Sequence, residues 1–233
     1  MVSFFLGLDT SCYTTSLGVV DAKGKPVLDL RKPLAVREGE KGLRQSEAFF
    51  QHVKNLPLFF HNKDFCRLIP GIKAVSASEK PRPGGNSYMP VFKAGESIGK
   101  VAAGAMLAAY YPSTHQEGHI LAGLISAGVV WENFWAFHLS GGTTELLAVE
   151  IKGAAITINK IGGSSDIAAG QFIDRIGVKY GLGFPAGPKL EALARAAKGS
   201  CSLPVAVKGN SVSFSGPLTQ AERLAGYEPA EVA

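Results

Sequence analysis

Cysteine is scarce in this chain, and its spacing matches no common metal or redox motif. The 233 residues contain three cysteines, Cys12, Cys66 and Cys201, with no CxxC pair among them. An odd number of widely separated cysteines argues against a secreted domain held together by disulfides. We therefore expect a reduced, cytoplasmic setting.

Long apolar runs are also missing. The longest charge-free apolar stretch lies near residues 120–131, well short of the roughly 20 residues that a membrane-spanning helix needs. The N-terminal segment has no basic stretch and reaches Asp9 too early for a signal peptide. Internal repeats and low-complexity segments are absent too. The sequence thus predicts a soluble protein with no membrane partner.

Glycine and apolar side chains, in contrast, are plentiful. Hydrophobic residues make up 46% of the chain and glycine occupies 28 positions, a composition typical of a compact protein with many tight turns. A chain of this length can form one large core or two moderate lobes. The net charge of +5 and the pI near 9.1 favour an anionic partner.

Two histidines stand four residues apart, at His115 and His119. Ser113 and Thr114 precede them, each with Gln or Glu three positions later, so a helix that begins with a capping box is expected here. On such a helix both imidazoles share one face, and the helix N-terminus favours neutral rings that can ligate a metal. A histidine pair on the surface or at the core edge is the alternative. The pattern differs from the zinc-protease motif, because Glu117 does not directly follow the first histidine.

The first strand–turn–strand segment lies near the N-terminus. Residues 4–8 and 17–20 are predicted strands, and the turn between them is rich in hydroxyl groups and includes Asp9 and Ser11. A carboxylate beside several hydroxyl and amide donors suits a metal-bound phosphate, as in the actin, Hsp70 and sugar-kinase superfamily of ATPases. The alternative is an ordinary hairpin turn rich in Ser and Thr.

A second segment of the same kind follows the histidine pair. Residues 134–139 and 146–151 are predicted strands, and the turn between them begins with Ser140, Gly141 and Gly142. Glycine lets backbone amides approach a phosphate closely. The chain therefore contains two strand–turn–strand segments whose turns suit a phosphate.

This duplication predicts an α/β protein with the actin-like or Hsp70-like ATPase fold, which is ribonuclease H-like, in two lobes. Helices are expected over residues 46–60 and 95–109. We predict an N-terminal lobe over residues 1–111. Residues 112–233 would begin a second, incomplete lobe that carries the histidine helix and the nucleotide motifs.

A further helix is predicted to begin at Ser165 or Asp166 and to end before a turn rich in Gly and Pro. On it, Asp166, Gly170 and Asp174 fall at i, i+4 and i+8 and share a face. Such an acidic row can hold a ribose or a metal. The alternative is a helix cap followed by a solvent-facing Asp.

Taken in order, several segments resemble the tRNA threonylcarbamoyladenosine transferase family (TsaD type), formerly called O-sialoglycoprotein endopeptidase or glycoprotease. The segments are LGLDTSCYTTS, HQEGHILAG, HLSGGTTELL, GSSDIAAGQFIDRIGVKYGLGFPAGPKLE and VSFSG. The match runs from residue 3 to residue 216, and residues 174–191 form its most specific part.

The resemblance implies both a fold and an activity. Members of this family have the two-lobed actin-like fold, bind a divalent metal, iron or zinc, and use an adenine nucleotide, ATP or threonylcarbamoyl-adenylate. They transfer the threonylcarbamoyl group to the adenosine next to the tRNA anticodon, together with small partner proteins. A homodimer or heterodimer is also consistent with the family.

The resemblance also implies roles for individual residues. His115 and His119 match the metal ligands, Ser140, Gly141 and Gly142 match the phosphate-facing turn, Asp174, Gly187 and Glu191 match nucleotide-binding positions, and Asp9 and Ser11 match the first phosphate hairpin, where the catalytic role is expected. His138 stands where some members place a metal-binding Tyr, so it is a further candidate ligand. The alternative for His138 is a strand histidine at the core edge.

The sequence departs from the family pattern at Thr143, Ile167 and Gln171, and it ends before the family's adenine-binding loop and the Asp that supplies a third metal ligand. Two hypotheses follow. The chain is either a transferase or a catalytically silent paralogue that serves as a partner in the modification complex. A metalloprotease ranks last, because no Glu adjoins the first histidine as a general base.

Overall fold

The chain forms two compact units, which contacts between residues assign to 1–130 and 131–233. A computed structural model describes residues 2–11, 13–36, 43–84, 87–197 and 202–224. The histidine helix belongs to the first unit, because the boundary lies after Val130 rather than after residue 111. The division of the family fold into lobes at residue 111 stays a prediction.

A five-stranded mixed sheet forms the centre of the first unit. Its strands are β1 (Phe4–Asp9), β2 (Thr14–Asp21), β3 (Pro26–Pro33), β4 (Ile72–Lys80) and β5 (Ala109–Thr114). The strand order is β3-β2-β1-β4-β5. The pairs β1–β2 and β2–β3 are antiparallel, and β1–β4 and β4–β5 are parallel. This order and these directions are those of the ribonuclease H-like fold, so the predicted fold class is confirmed.

Helices cover this sheet. They are α1 (Gln45–Phe60), α2 (Lys63–Leu68), α3 (Phe92–Ala105) and α4 (His115–Ala127). The core combines strand residues such as Leu6 and Val75 with helix residues such as Leu56 and Phe65, all 2% exposed or less. Each such side chain contributes about 1.5–3 kcal/mol through burial. The first unit therefore has its own hydrophobic core.

The strand β5 was missed by the sequence analysis, which placed a helix as far as residue 109. Pro112 lies inside β5, opposite Ala77, and proline normally argues against a strand because it has no N–H to donate. β5 is an edge strand, however, and an edge strand tolerates proline. Its position places the start of α4 directly after the sheet.

The second unit also contains a five-stranded mixed sheet. Its strands are β6 (Asn133–Leu139), β7 (Thr144–Lys152), β8 (Ala155–Ser164), β9 (Ala206–Lys208) and β10 (Ser211–Ser213), and its helices are α5 (Ala169–Lys179), α6 (Gly187–Ala196) and α7 (Ser215–Arg223). The order is β6-β7-β8-β10-β9. Both predicted hairpins, β1–β2 and β6–β7, are confirmed as antiparallel pairs.

The two sheets differ in where the hairpin lies. β1 is the central strand of the first sheet, whereas β6 is at the edge of the second. Among the residues that the structure describes, β6 has no parallel neighbour of the kind that β4 provides for β1. The core of this unit lies between its helices, around Ile176, Leu190 and Leu218. Within the described ranges, no helix has the length and apolar character needed to cross a membrane.

Candidate functional site

The helix α4 begins with the predicted capping box. The Thr114 hydroxyl accepts a hydrogen bond from the Glu117 amide (3.2 Å), and the Glu117 carboxylate accepts one from the Thr114 amide (2.6 Å). Ser113 and Thr114 were both candidates for the cap, and the structure selects Thr114. The cap satisfies two backbone donors at the helix start and fixes the first turn, which carries His115.

The two histidines face each other across one turn of α4. His115 Nε2 and His119 Nε2 are 2.9 Å apart, and the ring centroids are separated by 4.3 Å. Metal–nitrogen bonds of about 2.1 Å place two ligating nitrogens about 3.0–3.4 Å apart for angles of about 90–110°. The separation of the two nitrogens is therefore within a few tenths of an ångström of that expected for two histidines that share a metal ion.

A carboxylate lies behind the first histidine. Asp9 Oδ2 is 2.8 Å from His115 Nδ1, and Asp9 Oδ1 accepts a hydrogen bond from the Ser11 amide at 2.8 Å. Burial raises the pKa of Asp9, but hydrogen bonds from His115, Ser78 and the Ser11 amide and the charge of His115 outweigh it, so the pKa is lowered overall. The carboxylate is therefore ionised at neutral pH.

The topology explains why these residues meet. Asp9 ends β1, Ser78 lies near the end of β4, and His115 directly follows β5. Because β1, β4 and β5 are parallel, their carboxyl ends lie at one edge of the sheet. In α/β sheets this edge commonly carries the ligand site.

The side chains at this edge fit a two-histidine contribution to a metal site. Two imidazole nitrogens lie 2.9 Å apart, and the histidine nearer the sheet has a carboxylate on its other nitrogen, an arrangement common around metals. In the part of the chain that the structure describes, no group of three or more His, Cys, Asp or Glu is arranged to hold a metal. His138 lies in β6 of the second unit, opposite Glu145 of β7, and its role as a ligand stays a prediction.

The predicted phosphate-facing turn joins β6 to β7. The Ser140 hydroxyl accepts hydrogen bonds from the amides of Gly142 (3.3 Å) and Thr143 (3.0 Å), and the Ser140 amide donates to the Thr143 carbonyl (2.8 Å). An added Cβ at Gly141 or Gly142 would meet no atom within 4 Å. The two glycines therefore leave the outer side of the turn open.

The helix α5 holds this turn from behind. Thr144 Oγ1 accepts a hydrogen bond from the Ala169 amide (2.7 Å). Gly170 packs so closely that a Cβ on it would lie 2.6 Å from Gly141 Cα and 2.7 Å from the Ser140 carbonyl oxygen. A glycine is needed at this position because the neighbouring atoms are backbone atoms, which cannot rotate away.

The expected nucleotide-binding residues lie on α5 and α6. Asp174 Oδ1 accepts a hydrogen bond from the Ala186 amide (2.8 Å), which ties α5 to the start of α6. Gly187 is the first residue of α6. Glu191 forms an exposed ion pair with Arg195 (2.6 Å). Asp174 and Gly187 thus lie where α5 meets the start of α6. The role of Asp174, Gly187 and Glu191 in nucleotide binding stays a prediction.

The prediction that Asp166 or Ser165 caps this helix and that Asp166 shares a helix face with Asp174 is wrong. The N-cap of α5 is Ala168, so Asp166 precedes the helix. Its carboxylate instead accepts hydrogen bonds from the hydroxyls of Ser213 and Ser215, both 2.6 Å, and from the Phe214 amide. These three, in that order, lower the pKa of Asp166 below its ordinary value. The serines belong to the VSFSG segment, which sequence reasoning noted without assigning them a partner.

Sequence reasoning missed a buried polar network beneath the first hairpin. Thr15 Oγ1 lies 2.9 Å from His52 Nδ1 and accepts a hydrogen bond from Asn55 Nδ2 (3.1 Å). His52 is fully buried, and its Nε2 has no hydrogen-bond partner in the described part of the chain. Burial lowers the pKa of His52, although the Ser11 backbone and the Asp9 charge act in the opposite direction. The signal was present as two polar residues on the inner face of α1.

The sequence of this chain matches one family model and several relatives that carry the name of that family. Residues 92–233 match the family model described as tRNA N6-adenosine threonylcarbamoyltransferase. The protein of that name from Thermus thermophilus is 31% identical over 94% of this chain. A probable bifunctional tRNA threonylcarbamoyladenosine biosynthesis protein from Methanothermobacter thermautotrophicus is likewise 31% identical over 94% of it.

A solved structure adds little to this. YeaZ from Pseudomonas aeruginosa superposes with a TM-score of 0.40 at 12% identity and covers 67% of this chain and 64% of its own. That score is too low to assign the fold, which rests on the strand order. The chain spans 66% of the length of the Thermus relative and 39% of that of the Methanothermobacter relative. Because the family model matches more than half of its residues, this chain belongs to the tRNA N6-adenosine threonylcarbamoyltransferase family.

Proposed function

We propose that this chain acts in the transfer of a threonylcarbamoyl group from threonylcarbamoyl-adenylate to the adenosine next to the tRNA anticodon. The observation that carries the proposal is the pair of imidazole nitrogens, His115 Nε2 and His119 Nε2, 2.9 Å apart at the carboxyl edge of the first sheet. Membership of the family supports the choice of reaction.

The chemistry requires orientation more than it requires a nucleophilic side chain. The adenosine amine attacks the carbamoyl carbon, a C–N bond forms, the C–O bond to the phosphate breaks, and AMP leaves with the electron pair while the amine loses a proton. The donor is already activated, so holding the two reactants in line accounts for much of the acceleration. His115 and His119 would hold a divalent metal, iron or zinc, and such a metal would supply a Lewis acid for the carbonyl or the phosphate.

The second unit supplies the proposed phosphate contacts. The outer side of the Ser140-Gly141-Gly142 turn is open, and its amides donate within the turn to the Ser140 hydroxyl. A phosphate oxygen can replace that hydroxyl as acceptor, because amide donors bind an anion more strongly than a neutral oxygen. The proposed adenine nucleotide is ATP or threonylcarbamoyl-adenylate, and Asp174, Gly187 and Glu191 are its other proposed binding residues.

The proposed partners are tRNA and small proteins of the modification complex, in the cytoplasm. The net charge of +5 supports binding to a polyanion such as tRNA. A homodimer or heterodimer fits the same proposal. His138 remains a proposed additional ligand.

A second candidate function is that of a silent partner in the same complex. One observation favours it: in the described ranges, no group of three or more His, Cys, Asp or Glu is arranged to hold a metal. A metal normally takes three or more protein ligands. Under this reading the chain would hold a partner in place without carrying out the transfer.

Nucleoside analysis of tRNA distinguishes the transferase from the silent partner. The chain is mixed with partner proteins, unmodified tRNA and threonylcarbamoyl-adenylate, and digested tRNA is examined by mass spectrometry for the modified adenosine. We expect modification with the wild type and with the control variant His61→Ala, whose side chain is exposed, and none with His119→Ala. Absence of modification with the wild type would contradict the transferase and favour the silent partner.

A further inference from the structure

We propose that Asp9 is a positioning residue that fixes the tautomer of His115, so that Nε2 of this ring faces His119 as an acceptor. The inference rests on the proposed metal-binding role of the pair. It changes the expected role of Asp9, which the hairpin pattern had placed beside a phosphate.

The geometry determines where the proton of His115 lies. An ionised carboxylate only accepts hydrogen bonds, so the 2.8 Å contact between Asp9 Oδ2 and His115 Nδ1 requires a proton on Nδ1. A histidine that ligates a metal is neutral, so with the proton of His115 on Nδ1 its other nitrogen is an acceptor. The Nε2 of His115 therefore carries the lone pair that a metal requires.

The proton of the second ring follows from the first. At 2.9 Å the two Nε2 atoms share a hydrogen bond, and because His115 Nε2 accepts, His119 Nε2 donates. A metal bound to both rings would take the place of this proton, and His119 would then have to carry its proton on Nδ1. Only His119 has to change tautomer, because Asp9 has already set His115.

Asp9 is itself held from several directions. Its Oδ1 accepts from the Ser11 amide, and the Ser78 hydroxyl also bonds to the carboxylate. Only a quarter of the Asp9 side chain is exposed. Both carboxylate oxygens of Asp9 accept hydrogen bonds from protein donors. Asp9 therefore orients the ring of His115 and does not face a phosphate.

The isosteric variant Asp9→Asn distinguishes this role from a simple loss of charge. The Ser11 amide is always a donor, so the Asn carbonyl oxygen has to face it. The Asn amino group then faces His115 Nδ1 as a donor, and the imidazole has to accept on Nδ1 and carry its proton on Nε2. Asp9→Asn should therefore block the metal-facing nitrogen, whereas Asp9→Ala should leave both tautomers accessible.

The test is cobalt affinity, measured by competition with a chromophoric chelator. Loss of a carboxylate partner of a ligating histidine typically costs about 10–100-fold in affinity. We expect Asp9→Ala to bind about 10-fold more weakly than the wild type and Asp9→Asn about 100-fold more weakly. The control Asp29→Asn, which removes a surface partner of Arg31 in the same sheet, should match the wild type. Equal affinity of Asp9→Asn and the wild type, or tighter binding by Asp9→Asn than by Asp9→Ala, would overturn the inference.

Imidazole ¹⁵N NMR of the metal-free chain provides the second readout, and circular dichroism checks that each variant is folded. In the wild type, His115 should carry its proton on Nδ1, and in Asp9→Asn on Nε2. A wild-type His115 protonated on Nε2 would overturn the role of Asp9. If the wild type binds no cobalt but the NMR result holds, the proposed metal role fails and the tautomer inference stands.

Discussion

The packing of Gly170 against the turn at Ser140 and Gly141 leads to a specific prediction about stability. Gly170 is the second residue of α5. A Cβ added there would lie 2.6 Å from Gly141 Cα, 2.8 Å from the Gly141 nitrogen and 2.7 Å from the Ser140 carbonyl oxygen. The substitution Gly170→Ala therefore forces either the turn or the start of the helix to move.

The expected cost follows from two opposing effects. Overpacking a tightly packed region costs about 1–3 kcal/mol, whereas replacing glycine by alanine in a helix gains about 0.5–1 kcal/mol. The net destabilisation of Gly170→Ala should therefore lie between about 0 and 2.5 kcal/mol, with a central value of about 1 kcal/mol. Gly216→Ala is a matched control, since Gly216 is the second residue of α7 and its Cβ would meet nothing within 4 Å. The control should be neutral or slightly stabilised.

Urea unfolding followed by tryptophan fluorescence measures the difference. Both tryptophans, Trp131 and Trp135, belong to the second unit, so the signal reports on the unit that contains both glycines. With a slope of about 2 kcal/mol per molar urea, the central destabilisation of about 1 kcal/mol lowers the midpoint of Gly170→Ala by about 0.5 M. Equal midpoints for Gly170→Ala and Gly216→Ala would refute the close packing of α5 on the turn.

Three further predictions concern caps, buried groups and pH. Thr114→Ala should destabilise α4 by about 1 kcal/mol and weaken cobalt binding, whereas Thr114→Ser should retain both, as unfolding and chelator competition will measure. Burial keeps the pKa of His52 below its ordinary 6.5, so the unfolded chain binds a proton that the folded chain does not. The free energy of unfolding should therefore fall as the pH drops below 6.5. Unfolding followed by circular dichroism should show that His52→Gln removes this pH dependence and that the exposed control His61→Gln does not. The pKa of Asp166 is lowered, so its contribution should be full above its ordinary 3.8 and lost at lower pH. Fluorescence of Asp166→Asn should show a loss of stability at pH 7 and a smaller acid dependence than in the wild type.

Local patterns explain what the sequence predicted well. The Thr114-to-Glu117 spacing defines a capping box within four residues, and alternating apolar residues beside polar turns define the two hairpins. These features depend on neighbours in sequence, so they are readable without a structure. The class and the start of the histidine helix were therefore correct.

Long-range contacts explain what the sequence did not predict. Asp9 and His115 are 106 residues apart, and Asp166 is 47 residues from Ser213. No local pattern encodes such pairings, because they arise from the parallel order of strands and from the packing of helices. Asp166 therefore read as a helix cap, although its strongest partners lie beyond the following helices.

The sequence analysis also missed β5, because the order of strands in a sheet cannot be read from a local pattern. The sequence analysis predicted a helix over residues 95–109 and no strand over residues 109–114, where Pro112 would be unfavourable in a central strand. Only the sheet order shows that β5 lies at an edge, where the missing N–H does not interrupt the ladder. Proline does disfavour central strands, but β5 is an edge strand, so it can contain Pro112.

The central claim is that His115 and His119 together hold a divalent metal. Elemental analysis of the purified chain, after incubation with iron or zinc and dialysis, tests it most directly. The account predicts bound metal in the wild type and in His61→Ala, and a loss of that metal in His119→Ala. Equal metal content in the wild type and His119→Ala would contradict it.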